Sequence, residues 1–402
     1  MSLYELEREG DVEGVSQILT ESDNETIRKR AAKILGRLPQ RSDRDAVESL
    51  LRAATEDGSK EVRVAAVESL GKLEEKNAIV EIISDGDEDK NDDIVGLALR
   101  GLESNEKAVR AASVSLLGSA GGEKALRALG KAADDPERRV REMVAESLGG
   151  VRHQAAVSTL LEMSDDGSAR VREKVAEALS EYDDTGKAQE TVVDLSEDPK
   201  PQVRRAAASS LGRFGSRSAI EAAAERLGDK EGPVRLSAAF SLVECLSNAP
   251  GPKSHEIREF AADVTQEKAV GRETAEALAD VLEADQRTAR RNAAWLLGRI
   301  ADPTEPVVDA LVESLGDDDE MTSQFAATAL GDIGGDKVRQ RLIDSVQDEE
   351  KREMAVFALG EIGGKEAEKV LSDLVDETES ESVREKAFSA ISKLDGDPES
   401  HI

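Results

Sequence analysis

The chain has 402 residues, and its 85 acidic side chains outnumber 54 basic ones to give a formal net charge of −31 at pH 7. Such an excess of acid disfavours nucleic-acid binding, which depends on lysine and arginine. No stretch reaches the roughly 18 apolar residues of a membrane span, and residues 1–8 are too charged for a signal peptide. The single cysteine fits a reducing compartment, so we expect a cytoplasmic protein.

The acidic residues run through the whole sequence and form no separate tail. A binding surface for a basic partner would concentrate them on one face, whereas salt adaptation spreads them everywhere. The even spread favours salt adaptation and a halophilic archaeon as the source. Aromatic residues make up only 2% of the chain, so its core must be built from alanine, valine and leucine.

One pattern, V-R-x-x-A-A-x-x-L-G, recurs along the chain. Its copies, counted from position zero, begin at Ile27, Val62, Val109, Val140, Val171, Val203, Val234, Ala289, Thr322, Lys351 and Val383. A period near 31 residues over these copies predicts a repeat array. Positions 0, 4, 5 and 8 share one face of an amphipathic helix, here called helix A. We expect the glycine at position 9 to end that helix in the left-handed conformation, and a shorter helix B to precede each helix A.

An acidic turn joins each helix B to the next helix A. Five copies place an aspartate five residues before position 0 and an arginine six residues after that aspartate: Asp57 and Arg63, Asp135 and Arg141, Asp166 and Arg172, Asp198 and Arg204, Asp229 and Arg235. Aspartate caps turns and arginine binds carboxylates, so stacked repeats predict a ladder of Asp–Arg contacts. The alternative, a basic stripe that binds phosphate, explains the regular aspartates less well.

The pattern with its aspartate resembles the HEAT repeat, in particular the PBS-lyase-like subclass, over about residues 12–394. The resemblance implies an all-α fold without a sheet: an α–α superhelix of about eleven A/B repeats, with A helices on the convex side and B helices on the concave side. We expect a single solenoid domain over residues 1–402. Residues 1–26 would form an N-terminal half-repeat cap, and residues 383–402 a capping helix and tail.

Two insertions interrupt the period between helices A and B, at residues 75–92 and 247–274. The first contains an apolar run and then Asp85, Asp87 and Asp89, and the second contains a predicted helix over residues 255–264. Insertions on one rim of a solenoid often carry binding sites, although a tolerated surface loop is the alternative.

The sequence offers little for catalysis. The alternation of Asp85, Asp87 and Asp89 lacks the glycine and glutamate of a calcium-binding EF-hand. Deoxyhypusine hydroxylases of the resembled family bind iron through four His-Glu pairs, whereas only His255-Glu256 has that form here. Cys245 lies at the apolar end of a helix A, where a buried, inert thiol is expected. We therefore predict no enzyme activity, no metal, no cofactor and no small-molecule substrate; a lyase or hydroxylase is the unfavoured alternative.

Aromatic residues break the repeat at position 6, which should face solvent. The position is polar in the first six copies and then becomes Phe240, Trp295 and Phe357, with Thr328 between them. Clustered apolar side chains of this kind mark interaction sites. Alternatively, the inserted helix folds over Phe240 and Trp295. We therefore predict a scaffold or adaptor that binds partner proteins. The resemblance to HEAT-repeat proteins implies an alternative, an adaptor or regulator in archaeal chemotaxis or motility signalling. The candidate residues are Leu236, Phe240, His255, Phe260, Trp295 and Phe357.

Overall fold

The computed structural model describes residues 2–37, 44–75, 88–182, 186–248, 254–268, 272–300 and 304–395. All regular structure in these ranges is helical, with no strand, so the predicted all-α fold is confirmed. The chain divides into two compact units, residues 1–195 and 196–402.

The described residues of the first unit form twelve helices. They are α1 Leu3–Glu9, α2 Val12–Glu21, α3 Glu25–Leu35, α4 Arg44–Glu56, α5 Lys60–Glu75, α6 Glu88–Leu102, α7 Lys107–Ala120, α8 Gly122–Ala132, α9 Arg138–Val151, α10 Ala155–Met163, α11 Ala169–Leu179 and α12 Gly186–Leu195. The short α1 packs on α2 and buries Leu6.

In the second unit, the part of the chain that the structure describes forms twelve more helices and two short 3₁₀ turns, Val281–Glu283 and Ser314–Gly316. The helices are α13 Pro201–Leu211, α14 Arg217–Arg226, α15 Gly232–Asn248, α16 Ser254–Lys268, α17 Arg272–Asp280, α18 Arg287–Ile300, α19 Glu305–Glu313, α20 Glu320–Ile333, α21 Gly335–Ser345, α22 Arg352–Ile362, α23 Lys365–Glu377 and α24 Glu381–Asp395.

Each unit is built as two helix layers, the arrangement of an α-solenoid. In the first unit α3, α5, α7, α9 and α11 contact one another in order as layer A, and α2, α4, α6, α8, α10 and α12 do so as layer B. In the second unit layer A is α13, α15, α18, α20, α22 and α24, while α17, α19, α21 and α23 form a run in layer B. The core between the layers consists of the repeat's valine, alanine and leucine, as Val203, Ala207 and Leu211 illustrate with no exposed surface.

The glycine at position 9 has a different role from the one we expected. Gly149 lies within α9 and Gly360 within α22, and neither has a positive φ. A Cβ on Gly149 would lie 2.9 Å from both Cα and Cβ of Ala178, and one on Gly360 would lie 2.6 Å from Cβ of Ala390. Glycine is required because the next A helix passes too close for a side chain. The prediction of a left-handed helix end at this position was therefore wrong.

The arginine at position 1 joins two successive turns. Arg141 donates from Nε and Nη2 to the Asp166 carboxylate at 2.6 and 3.1 Å, and from Nη1 to the backbone carbonyl of Asp135 at 2.8 Å. The same bidentate pairing recurs for Arg28–Asp57, Arg110–Asp135, Arg204–Asp229 and Arg290–Asp317. The bond to the turn's own carbonyl recurs for Arg63–Asp57, Arg172–Asp166, Arg204–Asp198 and Arg235–Asp229. Each carboxylate therefore serves the arginine of the preceding repeat.

The environments of Asp57, Asp166 and Asp229 favour the charged form of the carboxylate. Burial by itself would raise the pKa of Asp229, but hydrogen bonds from Arg204 and from the Glu231 amide lower it below its usual range. Asp57 and Asp166 have a lowered pKa for the same reasons. Because Arg204 and Asp229 have side chains only 8% and 7% exposed, water screens this pair little.

The two predicted insertions are described to different extents. Residues 76–87 of the first, including Asp85 and Asp87, lie outside the described residues, and α6 begins at Glu88. In the second insertion the predicted helix corresponds to α16, which contacts α14, α15 and α18.

Candidate functional site

Three aromatic side chains occupy position 6 on helices of layer A in the second unit. Phe240 lies on α15 and is 40% exposed, while Trp295 on α18 and Phe357 on α22 are half-buried. Between the last two helices, α20 presents the exposed Thr328 at the same position. Because α15, α18, α20 and α22 contact one another in sequence, these side chains belong to one continuous helix layer. We name Phe240, Trp295 and Phe357 the aromatic row.

The inserted helix α16 covers one edge of Trp295. The guanidinium carbons of Arg258 on α16 and of Arg299 on α18 lie 5.9 and 5.5 Å from the centre of the Trp295 ring, within the range of cation–π attraction. Arg258 also donates to Oδ1 of Asn292 at 3.3 Å, and Arg299 pairs with Glu259 at 2.5 Å. Trp295 is thus fixed in orientation and remains partly exposed.

The other two candidate residues of the insertion lie elsewhere on α16. Phe260 is directed to α14, where the guanidinium carbon of Arg217 lies 4.7 Å from its ring centre. His255 is exposed at the start of the helix. Sequence reasoning had offered α16 as a cover for both Phe240 and Trp295; it reaches Trp295 through Arg258, while Phe240 keeps its exposed surface.

Leu236 lines a separate groove. A cavity of about 750 Å³ opens between the start of α15, α17 and α19, and Leu236, which is 36% exposed, contributes to its wall. Its charged lining comprises Arg235 and six carboxylates: Glu273, Glu276, Asp280, Glu283, Asp309 and Glu313. Burial, together with the nearby Glu283 and Glu276, raises the pKa of Asp280. We name this cavity the acidic groove.

Sequence reasoning missed the groove and the polar anchor beneath α16. Asn292 is only 2% exposed, and its Nδ2 donates to the Val243 carbonyl at 3.0 Å and to Ser247 Oγ at 2.9 Å. Asparagine at repeat position 3 was a visible signal, because that position holds no other asparagine. The groove had a weaker signal, the replacement of the turn aspartate by Ala284 before α18.

The residues weighed for chemistry have ordinary surroundings. Cys245 is fully buried, and burial raises the pKa of its thiol to about 12. The exposed His153 accepts a hydrogen bond at Nδ1 from the Ala155 amide at 3.2 Å, whereas His401 lies outside the described residues. Within the described ranges, no three His, Cys, Asp or Glu side chains are grouped so that they could hold a metal ion. Nor does any helix in those ranges have the length and apolar character needed to cross a bilayer.

Comparison with known proteins agrees with this architecture. The family model described as HEAT repeats matches residues 12–103, 95–180, 163–243, 275–353 and 346–401. The chain therefore belongs to the HEAT-repeat family. It is also 39% identical to a HEAT repeat-containing taxis protein of Halobacterium salinarum, over 98% of this chain and 99% of that relative. The match to a haloarchaeal protein agrees with the salt-adapted composition.

Two solved structures are similar to the chain at low sequence identity. An engineered protein is 19% identical, with a TM-score of 0.44, over 95% of this chain and 98% of its own. The Escherichia coli protein YibA is 21% identical, with a TM-score of 0.35, over 67% of this chain and 92% of its own.

Proposed function

We propose that this protein is a non-catalytic adaptor in haloarchaeal taxis signalling. The observation that carries the proposal is the relationship to the taxis protein of Halobacterium salinarum, which extends over nearly the whole of both chains. A shared domain alone would leave the function open, because HEAT-type stacks serve many functions. The match to this relative covers 98% of the chain, so it extends over the irregular regions between the repeats as well as over the repeats themselves.

The aromatic row supplies a partner-binding surface for such an adaptor. Phe240 exposes 40% of its surface, and the Trp295 ring already contacts Arg258 and Arg299 in the protein alone. Large aromatic side chains that are already fixed lose little conformational entropy on binding and are common anchors of interfaces. We therefore assign partner binding to Phe240, Trp295 and Phe357.

A taxis assay tests both parts of this proposal. A haloarchaeal strain lacking the gene is complemented with the wild type, with Phe240→Ala plus Trp295→Ala, or with the control Val64→Ala, and swarm expansion on semi-solid agar is measured. Val64 is an apolar residue of the first unit that is 47% exposed, so it matches Phe240 in exposure and lies outside the aromatic row. We expect the control to restore directed swarming and the double variant to lose most of it.

The outcomes separate the function from the site. Normal swarming of the deletion strain would contradict a taxis function. Full complementation by the double variant at normal protein level would leave that function standing and would eliminate the aromatic row as its binding surface.

A further inference from the structure

The acidic groove lies where the repeat is broken. Elsewhere in the second unit, Arg204 and Arg290 pair with an aspartate of the following turn. Arg235 would require that aspartate at position 284, which is alanine. Its Nη1 still donates to the carbonyl of Asp229 in its own turn at 2.8 Å, as Arg204 does to the carbonyl of Asp198. The groove therefore opens at a turn that lacks the usual ladder contact.

Part of the lining of the acidic groove is apolar and accessible to water, and we call this part the floor. Leu236 is 36% exposed, and it shares the groove with Pro233, Ala277, Pro306 and Ala310. Covering the remaining exposed surface of Leu236 with a partner's apolar side chain would favour binding, because it removes apolar surface from water. The floor is thus a place for one apolar side chain of a ligand.

The rim of the groove is strongly acidic. Six carboxylates and one arginine line the groove. Two of the carboxylates, on α19, already form ion pairs: Asp309 with Arg341 at 3.0 Å and Glu313 with Lys351 at 2.7 Å. Towards α17, burial and then the nearby Glu283 and Glu276 raise the pKa of Asp280. A cation placed there would favour the charged form of Asp280 and reduce the repulsion between the carboxylates.

We propose that the acidic groove binds a basic amphipathic segment of a partner protein, whose apolar residue packs on Leu236 while its lysines or arginines pair with Glu273, Asp280 and Glu283. The proposal rests on the adaptor function and adds the chemical class of one partner. The lining of the groove does not include Phe240, Trp295 or Phe357.

High salt explains why the floor and the rim must act together. At about 1 M salt the Debye length is roughly 3 Å, so a diffuse acidic surface does not attract a distant basic segment. Ion pairs in direct contact persist under these conditions, and burial of apolar surface does not depend on long-range charge. A groove with an exposed leucine therefore discriminates between partners where scattered surface carboxylates cannot.

Peptide binding to the full-length protein in about 1 M KCl tests the proposal. The probe is a labelled synthetic helix with leucine on one face and lysine on the other, and its affinity is measured by fluorescence anisotropy. Two peptide controls replace every lysine by glutamate or every leucine by serine. We expect the single variant Leu236→Ala and the double variant Asp280→Asn plus Glu283→Gln each to weaken peptide binding at least about tenfold. Both control peptides should bind no better than background.

A matched variant separates the groove from the overall charge. Glu366→Gln plus Asp373→Asn removes two exposed carboxylates of α23 outside the groove and should leave the affinity unchanged. Circular dichroism verifies that every variant is folded. Equal weakening by the α23 variant, insensitivity to Leu236→Ala, or no binding of the lysine peptide would each overturn the proposal. If the peptide binds as expected but the deletion strain swarms normally, the groove assignment stands and the taxis function fails.

Discussion

At the scale of single residues, glycine at position 9 determines how closely the A helices pack. Gly149 and Gly130 are both helical glycines of the first unit, yet their surroundings differ. A Cβ on Gly149 would lie 2.9 Å from the backbone of Ala178, whereas one on Gly130 would meet only Thr159 Oγ1 at 3.5 Å. Alanine is intrinsically a better helix former than glycine by about 1 kcal/mol. At Gly149 the close contact with Ala178 opposes this preference, whereas at Gly130 the surroundings leave room for a Cβ.

We expect Gly149→Ala to destabilise the protein by roughly 1–3 kcal/mol, because α9 and α11 would have to move apart. The matched variant Gly130→Ala should be neutral or stabilise by up to about 1 kcal/mol. Urea unfolding followed by circular dichroism measures both. Equal stability of the two variants would show that the close approach of α9 and α11 does not determine the choice of glycine.

At the scale of helices and turns, the Asp–Arg ladder fixes each turn against its neighbour. Asp229 accepts two hydrogen bonds from Arg204 and one from the Glu231 amide. Asp229→Asn keeps the shape but places an NH₂ group against the guanidinium, so we expect a loss of roughly 2–3 kcal/mol. The exposed pair Arg127–Glu123 provides a control, since Glu123→Gln should cost no more than about 0.5 kcal/mol. Similar losses in the two variants would argue against the ladder as a stabilising element.

The ladder also predicts how stability depends on pH. The pKa of Asp229 is lowered in the folded state, so its contribution is complete above the unfolded pKa of about 3.9 and is lost as pH falls through the lower folded value. The stability difference between wild type and Asp229→Asn should therefore be constant from about pH 7 to pH 5 and shrink below about pH 4. Denaturant titrations at fixed high salt measure this difference. A difference that persists undiminished into strong acid would assign the loss to shape rather than charge.

α16 shows how an inserted helix acquires a fixed place. It is held to α18 by Arg258 and Arg299, and to α14 by stacking of Arg217 on Phe260. Asn292, buried between α15 and α18, provides Arg258 with its acceptor. The insertion is thus integrated into the second unit through a few polar contacts, and it orients the chain's single tryptophan.

At the scale of the whole molecule, the net charge of −31 makes stability depend on salt. At low ionic strength the carboxylates repel one another over many ångströms, whereas molar salt restricts the repulsion to neighbours within roughly 3 Å. We expect the unfolding temperature to rise steeply between about 0.1 M and 1 M KCl. Differential scanning calorimetry follows the transition, with sorbitol at matched osmolality as the control. An equal rise in sorbitol would assign the effect to solvent exclusion instead of charge screening.

The two proposed binding surfaces differ in how far the sequence revealed them. The aromatic row was found because each residue departs from its own repeat position, and such a comparison needs no structure. The acidic groove was missed because its carboxylates come from α17, the 3₁₀ turn Val281–Glu283 and α19, which are distant in sequence from Leu236, and because acidic residues are common throughout the chain. The high acidic content of the whole chain hid this local cluster of carboxylates.

The sequence by itself determined the helices, their phase and the core, because the spacing of Val203, Ala207 and Leu211 is a local property that recurs in every copy. Only the tertiary structure decided which partner each repeated residue meets. It joined Arg141 to Asp166 of the following turn and showed that Gly149 serves a close approach of two helices. It also brought Leu236 together with six carboxylates. These contacts are made between repeats, and a pattern that is the same in every repeat cannot specify which neighbour a side chain will reach.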